Sequence, residues 1–210
     1  ASPSAPSLHL TGGKVSAKDG ASRMRADPNP HGNVRANPWR ELVWGAAGVL
    51  LLLPLVAMQF TREVNWSPAD FVVFGGMLLA ACGSYELATR LSGDTLYRAG
   101  AGVAVATAFL LVWVNLAVGI IGAENNPANL VYAGVLGVAF AGALAARWRP
   151  SGMRRALQAT AAAQALASAL ALGAGETVAA GLSLLFALPW LASAWLFGRA
   201  AAAQTPSRAG

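Results

Sequence analysis

The sequence predicts an all-α, polytopic membrane bundle of six transmembrane helices, and three observations carry that prediction. First, the 210 residues are 56% hydrophobic and only 11% charged, whereas a soluble domain carries about a quarter charged residues. That is too little charge to wet the surface of a globule, but it suits side chains that face lipid. Second, the apolar residues fall into six stretches. Each is close to the ~20 residues that cross about 30 Å of hydrocarbon at about 1.5 Å per residue. Third, when those stretches are crossed in turn, fourteen of the fifteen Lys and Arg residues fall on one side.

Residues 1–38 are rich in Pro, Ser, Gly and Asn and have no apolar period. Such a segment cannot bury enough surface to offset its ordering entropy, so it is expected to be a disordered polar tail. It lacks the apolar central region of a signal peptide. Met24 offers an alternative natural start, which would make the upstream residues an over-extended reading frame. Residues 39–199 hold the transmembrane domain, and residues 200–210 form a short C-terminal tail.

The six spans are expected at Glu41–Phe60, Ser67–Arg90, Leu96–Gly122, Ala128–Arg147, Met153–Leu172 and Glu176–Phe197. Two helix starts resemble each other. Ser67-Pro68-Ala69-Asp70 and Asn126-Pro127-Ala128-Asn129 each put a capping residue before a proline at the first helical position, with Asp or Asn two residues further on. The cap side chain takes an orphan N–H, and proline has none to lose. The pair hints at a duplicated helical hairpin. The fifth span is Ala-rich with Gln158 and Gln164, and alanine barely favours lipid, so this helix is expected inside the bundle. Pro54 and Pro189 each remove an i→i−4 hydrogen bond, which predicts kinks in the first and sixth spans.

Arginine placement sets the orientation. Arg40, Arg90, Arg98, Arg147, Arg149, Arg154, Arg155, Arg199 and Arg208 share one side with the tail, and Arg62 stands alone on the other. Basic residues stay cytoplasmic, so both termini are expected in the cytoplasm. Trp39, Trp148 and Trp195 fit the inner headgroup belt, and Trp66 the outer one. The outer side collects Glu63, Asp70, Glu124 and Glu176 against its single arginine. The basic residues sit in short loops rather than on one face of a domain, which argues against nucleic acid as a partner. Arg147, Arg149, Arg154 and Arg155 would instead attract anionic lipids.

Small residues recur every fourth position: Gly76, Ala80, Ser84 and Ala88 in the second span, and Ala133, Gly137, Ala141 and Ala145 in the fourth. Such rows let helix backbones approach closely where lipid removes the hydrophobic incentive to associate. They predict contact seams, either within the bundle or with a membrane-protein partner or second copy of the chain.

Groups able to do chemistry are few. Asn115 is expected about two turns below the outer end of the third span, where it reads as interhelical glue or as a ligand for an ion or polar substrate. Glu86 pairs most simply with Arg90 at i,i+4, with a proton-carrying carboxylate as the sharper alternative. Glu63, Asp70 and Glu124 could gather a hard cation, although Asp70 already has a capping role. Gln158 and Gln164 are expected to bond across helices, with Tyr85 and Tyr132 as partners or interfacial anchors. Cys82 is the only cysteine and lies in an apolar run, so no intrachain disulfide or cysteine metal cluster can form. His9 and His31 lie in the tail, which rules out histidine-ligated haem or metal within the spans. No phosphate loop, nucleophile–base set or zinc spacing is present. Neither a cofactor nor an enzymatic activity is expected.

The run AFLLVWVNLAVGIIGAENNPANLVYAGVL, with VNWSPADF and YELATR upstream and RPSGMRRALQATAAAQAL downstream, resembles a bacterial family of small six-helix integral inner-membrane proteins of unassigned function. The resemblance covers nearly all of residues 38–198. It implies the membrane and the fold, and brings no catalytic residue with it. The reading is therefore a structural or accessory membrane subunit, or a partner-binding protein. The alternative is a small-solute or ion transporter with polar residues near Asn115.

Overall fold

The computed structural model describes residues 38–123 and 125–204, with side chains from Arg40 onward. The polar tail, the Trp39 side chain, Glu124 and Arg208 lie outside the described residues. Six helices follow one another: α1 (Pro38–Phe60), α2 (Pro68–Leu91), α3 (Thr95–Ala117), α4 (Leu130–Ala146), α5 (Pro150–Gly173) and α6 (Thr177–Ala203). A short 3-10 turn, Pro127–Asn129, leads into α4. Each span is long and apolar enough to cross a membrane, which fits a multi-pass membrane protein.

Local chemistry sets the helix boundaries. Ser67 accepts from the Asp70 backbone N–H, and the Asp70 carboxylate accepts from the Ser67 N–H at 2.7 Å. This reciprocal box closes two orphan donors at the start of α2. Asp94 does the same work for α3 by accepting from the Tyr97 N–H at 2.7 Å. At the other end of α3, Gly119 and Gly122 adopt φ of 70° and 69°. Those left-handed positions favour glycine, and they stop the helix at Ala117 rather than at Gly122. Pro150 opens α5 three residues earlier than Met153. α1 and α6 each run through their proline as one continuous helix.

Packing order differs from chain order. α5 packs most extensively on α6, α4 packs on α5, α3 on α6, α2 on α3, and α1 on α2. α3 and α4 barely touch, so the helices form an open arc rather than a closed ring.

The core lies between α3, α4, α5 and α6. α5 is 44% buried over its span, against 11% for α1, which places the Ala-rich helix at the centre as expected. Two glycines permit the closest approaches. A Cβ on Gly142 would stand 2.7 Å from the Ala156 Cβ, and one on Gly100 would stand 3.0 Å from the Phe197 ring. Bare backbone at these points lets α4 lie against α5 and α3 against α6. Ser193 Oγ then reaches across to donate to the Gly100 carbonyl at 2.7 Å.

α1 is held differently. Pro54 is its buried contact residue, Leu51 lies over Gly75 of α2, and Glu86 forms the tie at one end. The Glu86 carboxylate accepts from Trp44 Nε1 at 3.2 Å, pairs with Arg40 at 3.5 Å, and also accepts from Arg90.

Candidate functional site

Because α3 and α4 diverge, an apolar groove opens along α3 between α2 and α4. Two cavities of about 210 and 300 Å³ share Ser84, Val105 and Ala108 and merge along it. Ala80 and Met77 wall one end, and Phe140 and Ala143 wall the other side. At the end bearing Arg98, Arg147 and Arg149, the groove closes on Tyr97, Trp148 and Phe197. The turn that places Trp148 there is strained: Arg147 and Trp148 take φ of 48° and 60° in succession, a region that non-glycine residues seldom enter. Tyr97 holds the turn by donating its hydroxyl proton to the Trp148 carbonyl at 2.9 Å. Trp148 thus lines the closed end of the groove.

Ala80, Ser84 and Ala88 of the α2 row line this groove, whereas the α4 row stands beside its wall of Leu136, Ala139, Phe140 and Ala143 and faces out of the bundle. Gly76, Ala80 and Ser84 are exposed, as are Ala133, Gly137, Ala141 and Ala145. A Cβ on Gly76, Gly134 or Gly137 would meet nothing within 4 Å. Of the eight residues in the two rows, Ala88 alone is buried. Apart from Ala88, these rows are not seams within the bundle. The internal seams use Gly100 and Gly142 instead.

The polar candidates are dispersed. Asn115 sits in the last turn of α3 rather than two turns below its end, since the helix stops at Ala117. It is half-buried, and its Oδ1 has no hydrogen-bond partner. The expected interhelical bond from that oxygen does not form, and Asn115 lines none of the cavities described here. Glu86 does pair with Arg90, and it also binds two residues of α1. Its carboxylate is committed to holding a hairpin, with no second carboxylate beside it. Asp70 is committed to the cap. Glu63 stands exposed, its backbone N–H bonded to Thr61 Oγ1 at 3.1 Å. Among the described residues, no three of His, Cys, Asp and Glu come together in a way that could hold a metal. Cys82 is buried.

Of the span-five glutamines, Gln164 donates to Ser183 Oγ at 3.0 Å across the α5–α6 seam. Tyr132, from α4, lies beside the same serine without a well-formed hydrogen bond. Gln158 is exposed and makes no such bridge.

Asn129 carries more structure than its sequence position suggests. It does not mirror the capping role of Asp70, but turns inward and is 4% exposed. Its Oδ1 accepts from the N–H groups of Ile120 and Ile121 at 3.2 and 2.8 Å, and its Nδ2 donates to the Ala123 and Ile121 carbonyls at 2.7 and 3.3 Å. The side chain replaces the helical bonds that this stretch gives up beyond Ala117. The only sequence signal was a polar residue at the foot of an apolar span, opposite a glycine-flanked turn.

No family model, curated protein or solved structure matches this chain. The resemblance to a family of small bacterial membrane proteins stays an expectation drawn from the sequence motifs.

Proposed function

We propose that this protein is an accessory membrane subunit that receives an apolar transmembrane helix of a partner protein in the groove between α2 and α4. The observation that carries the reading is an open apolar groove whose α2 wall presents the exposed small residues Ala80 and Ser84. Small residues at a lipid-facing surface let a second helix backbone approach closely, which is how helices associate where lipid supplies no hydrophobic driving force. The groove presents hardly any polar atoms, so it suits an apolar segment.

The same reading places the chain in a bacterial inner membrane with its arginine-bearing end and both termini in the cytoplasm, because of the arginine asymmetry. It assigns no catalytic role, since the sequence offers no phosphate loop, nucleophile–base set or zinc spacing. A transporter would need polar groups meeting in a cavity near the midplane. The two cavities of the groove are apolar, and Asn115 stands apart from them.

A photo-crosslinker placed at Phe140, with the chain in its native membrane, tests the docking. The expected product is a defined adduct with one integral membrane protein, lost in Ala80→Phe and Ser84→Phe variants that melt as the parent does. Adducts with lipid alone, or adducts unaffected by both substitutions, would contradict the proposal.

A further inference from the structure

A second surface, away from the groove, lies on α5 and α6. α5 and α6 border a cleft of about 280 Å³ lined by Arg154, Gln158, Leu191, Trp195, Gly198 and Arg199. Arg154 lies flat against α6 at Gly198: its Cδ, Nε and Cζ come within 3.1, 3.5 and 3.8 Å of where a Cβ would stand. A branched residue there would press on the Arg154 stem and shift its guanidinium. Arg199 is held over the Trp195 ring, its Cζ 5.4 Å from the centroid, a cation–π arrangement that orients the charge.

Two guanidinium groups are thus positioned in one cleft with no carboxylate among its lining residues. The ion pairs among the described residues involve Arg40, Arg90 and Glu86. Asp94, at the same end of the bundle, caps α3.

We propose that this cleft binds the phosphate of an anionic phospholipid. Arginine presents a planar set of donors that suits phosphate oxygens. The cleft is also graded. Arg154 and Arg199 lie in the turns nearest the helix ends, Gln158 is one turn deeper and able to donate to ester oxygens, and Leu191 and Ala194 continue it towards the apolar span. A polar head above an apolar path matches a lipid and exceeds what a free phosphate ion would use. Trp195, 59% exposed, sits where an indole suits the headgroup boundary. The site narrows the general attraction of four loop arginines to Arg154 and adds Arg199, Gln158 and Trp195. It does not depend on the docking of a partner helix between α2 and α4.

The test is lipid retention by the full chain in detergent, measured by native mass spectrometry and by melting temperature. Phosphatidylglycerol, phosphatidylcholine and inorganic phosphate serve as separate probes. The expected result is selective retention of phosphatidylglycerol. Its apparent affinity should fall about thirtyfold in the R154Q/R199Q variant, since two interfacial cations act together, and it should fall in Gly198→Val, which displaces Arg154. An R147Q/R149Q variant should bind as the parent does. Equal retention of phosphatidylcholine, full competition by millimolar inorganic phosphate, or unchanged binding in R154Q/R199Q would overturn the assignment. The lipid-free melting temperature of each variant separates lost binding from lost folding.

Discussion

Asn129 holds the turn between α3 and α4 together, through four hydrogen bonds from one amide. Removing it leaves buried backbone groups around Ile120 and Ile121 unpaired. Asn129→Ala should therefore cost about 1–3 kcal/mol, read as a lowered melting temperature in detergent; an unchanged melt would show that the turn is held by its apolar contacts alone. The residue scale is also where the sequence was least legible. Ile120 and Ile121 read as the final turn of a membrane helix because they are apolar. In the structure they fold back beyond Ala117 and pack with Leu111, Tyr132 and Ala179. Hydropathy is the same for an apolar residue on a helix and for one plugging the end of a bundle. The two neighbouring glycines were the sign that distinguished them. Glu86 behaved similarly: its pairing with Arg90 follows from helical spacing, but its bonds to Arg40 and Trp44 join residues more than forty positions apart, beyond the reach of any local pattern.

Helix starts were legible because capping is local chemistry. Ser67, Pro68 and Asp70 do what their order implies, and the central position of α5 follows from its weak preference for lipid. Seams were harder to read, because every fourth-position row of small residues looks alike in sequence whether it packs inside the bundle or faces outward. Gly142 and Gly137 lie on the same helix, yet one meets Ala156 and the other meets nothing. Gly142→Leu should drive α4 from α5 and cost about 1–3 kcal/mol or more, whereas Gly137→Leu should leave the melt unchanged. Comparing the two unfolding curves checks this, and equal destabilisation would contradict the assignment of inner and outer seams. The strained pair Arg147–Trp148 is a further feature that propensity does not announce. It becomes intelligible only with Tyr97 bound to the Trp148 carbonyl.

Across the whole molecule, six helices form an open arc with a tightly packed α3–α6 core and a lightly attached α1–α2 hairpin. The arc exposes an apolar groove on one side, and the α5–α6 cleft lies apart from that groove. Composition and arginine spacing were enough to read six spans, because crossing a bilayer constrains length and charge so strongly. The order in which the helices pack was not readable, since it depends on which small residues meet across space. Both proposals rest on an even number of crossings that puts all the arginine-bearing loops on one side.

Cysteine labelling tests that most directly, with single cysteines at Glu63, Asn125, Gly93 and Ser151 in a Cys82→Ser chain. In intact cells, a membrane-impermeant maleimide should modify the cysteines at 63 and 125 from outside. Those at 93 and 151 should react only after the membrane is opened. Labelling of positions 125 and 151 from the same side would break the alternation of spans and contradict the account.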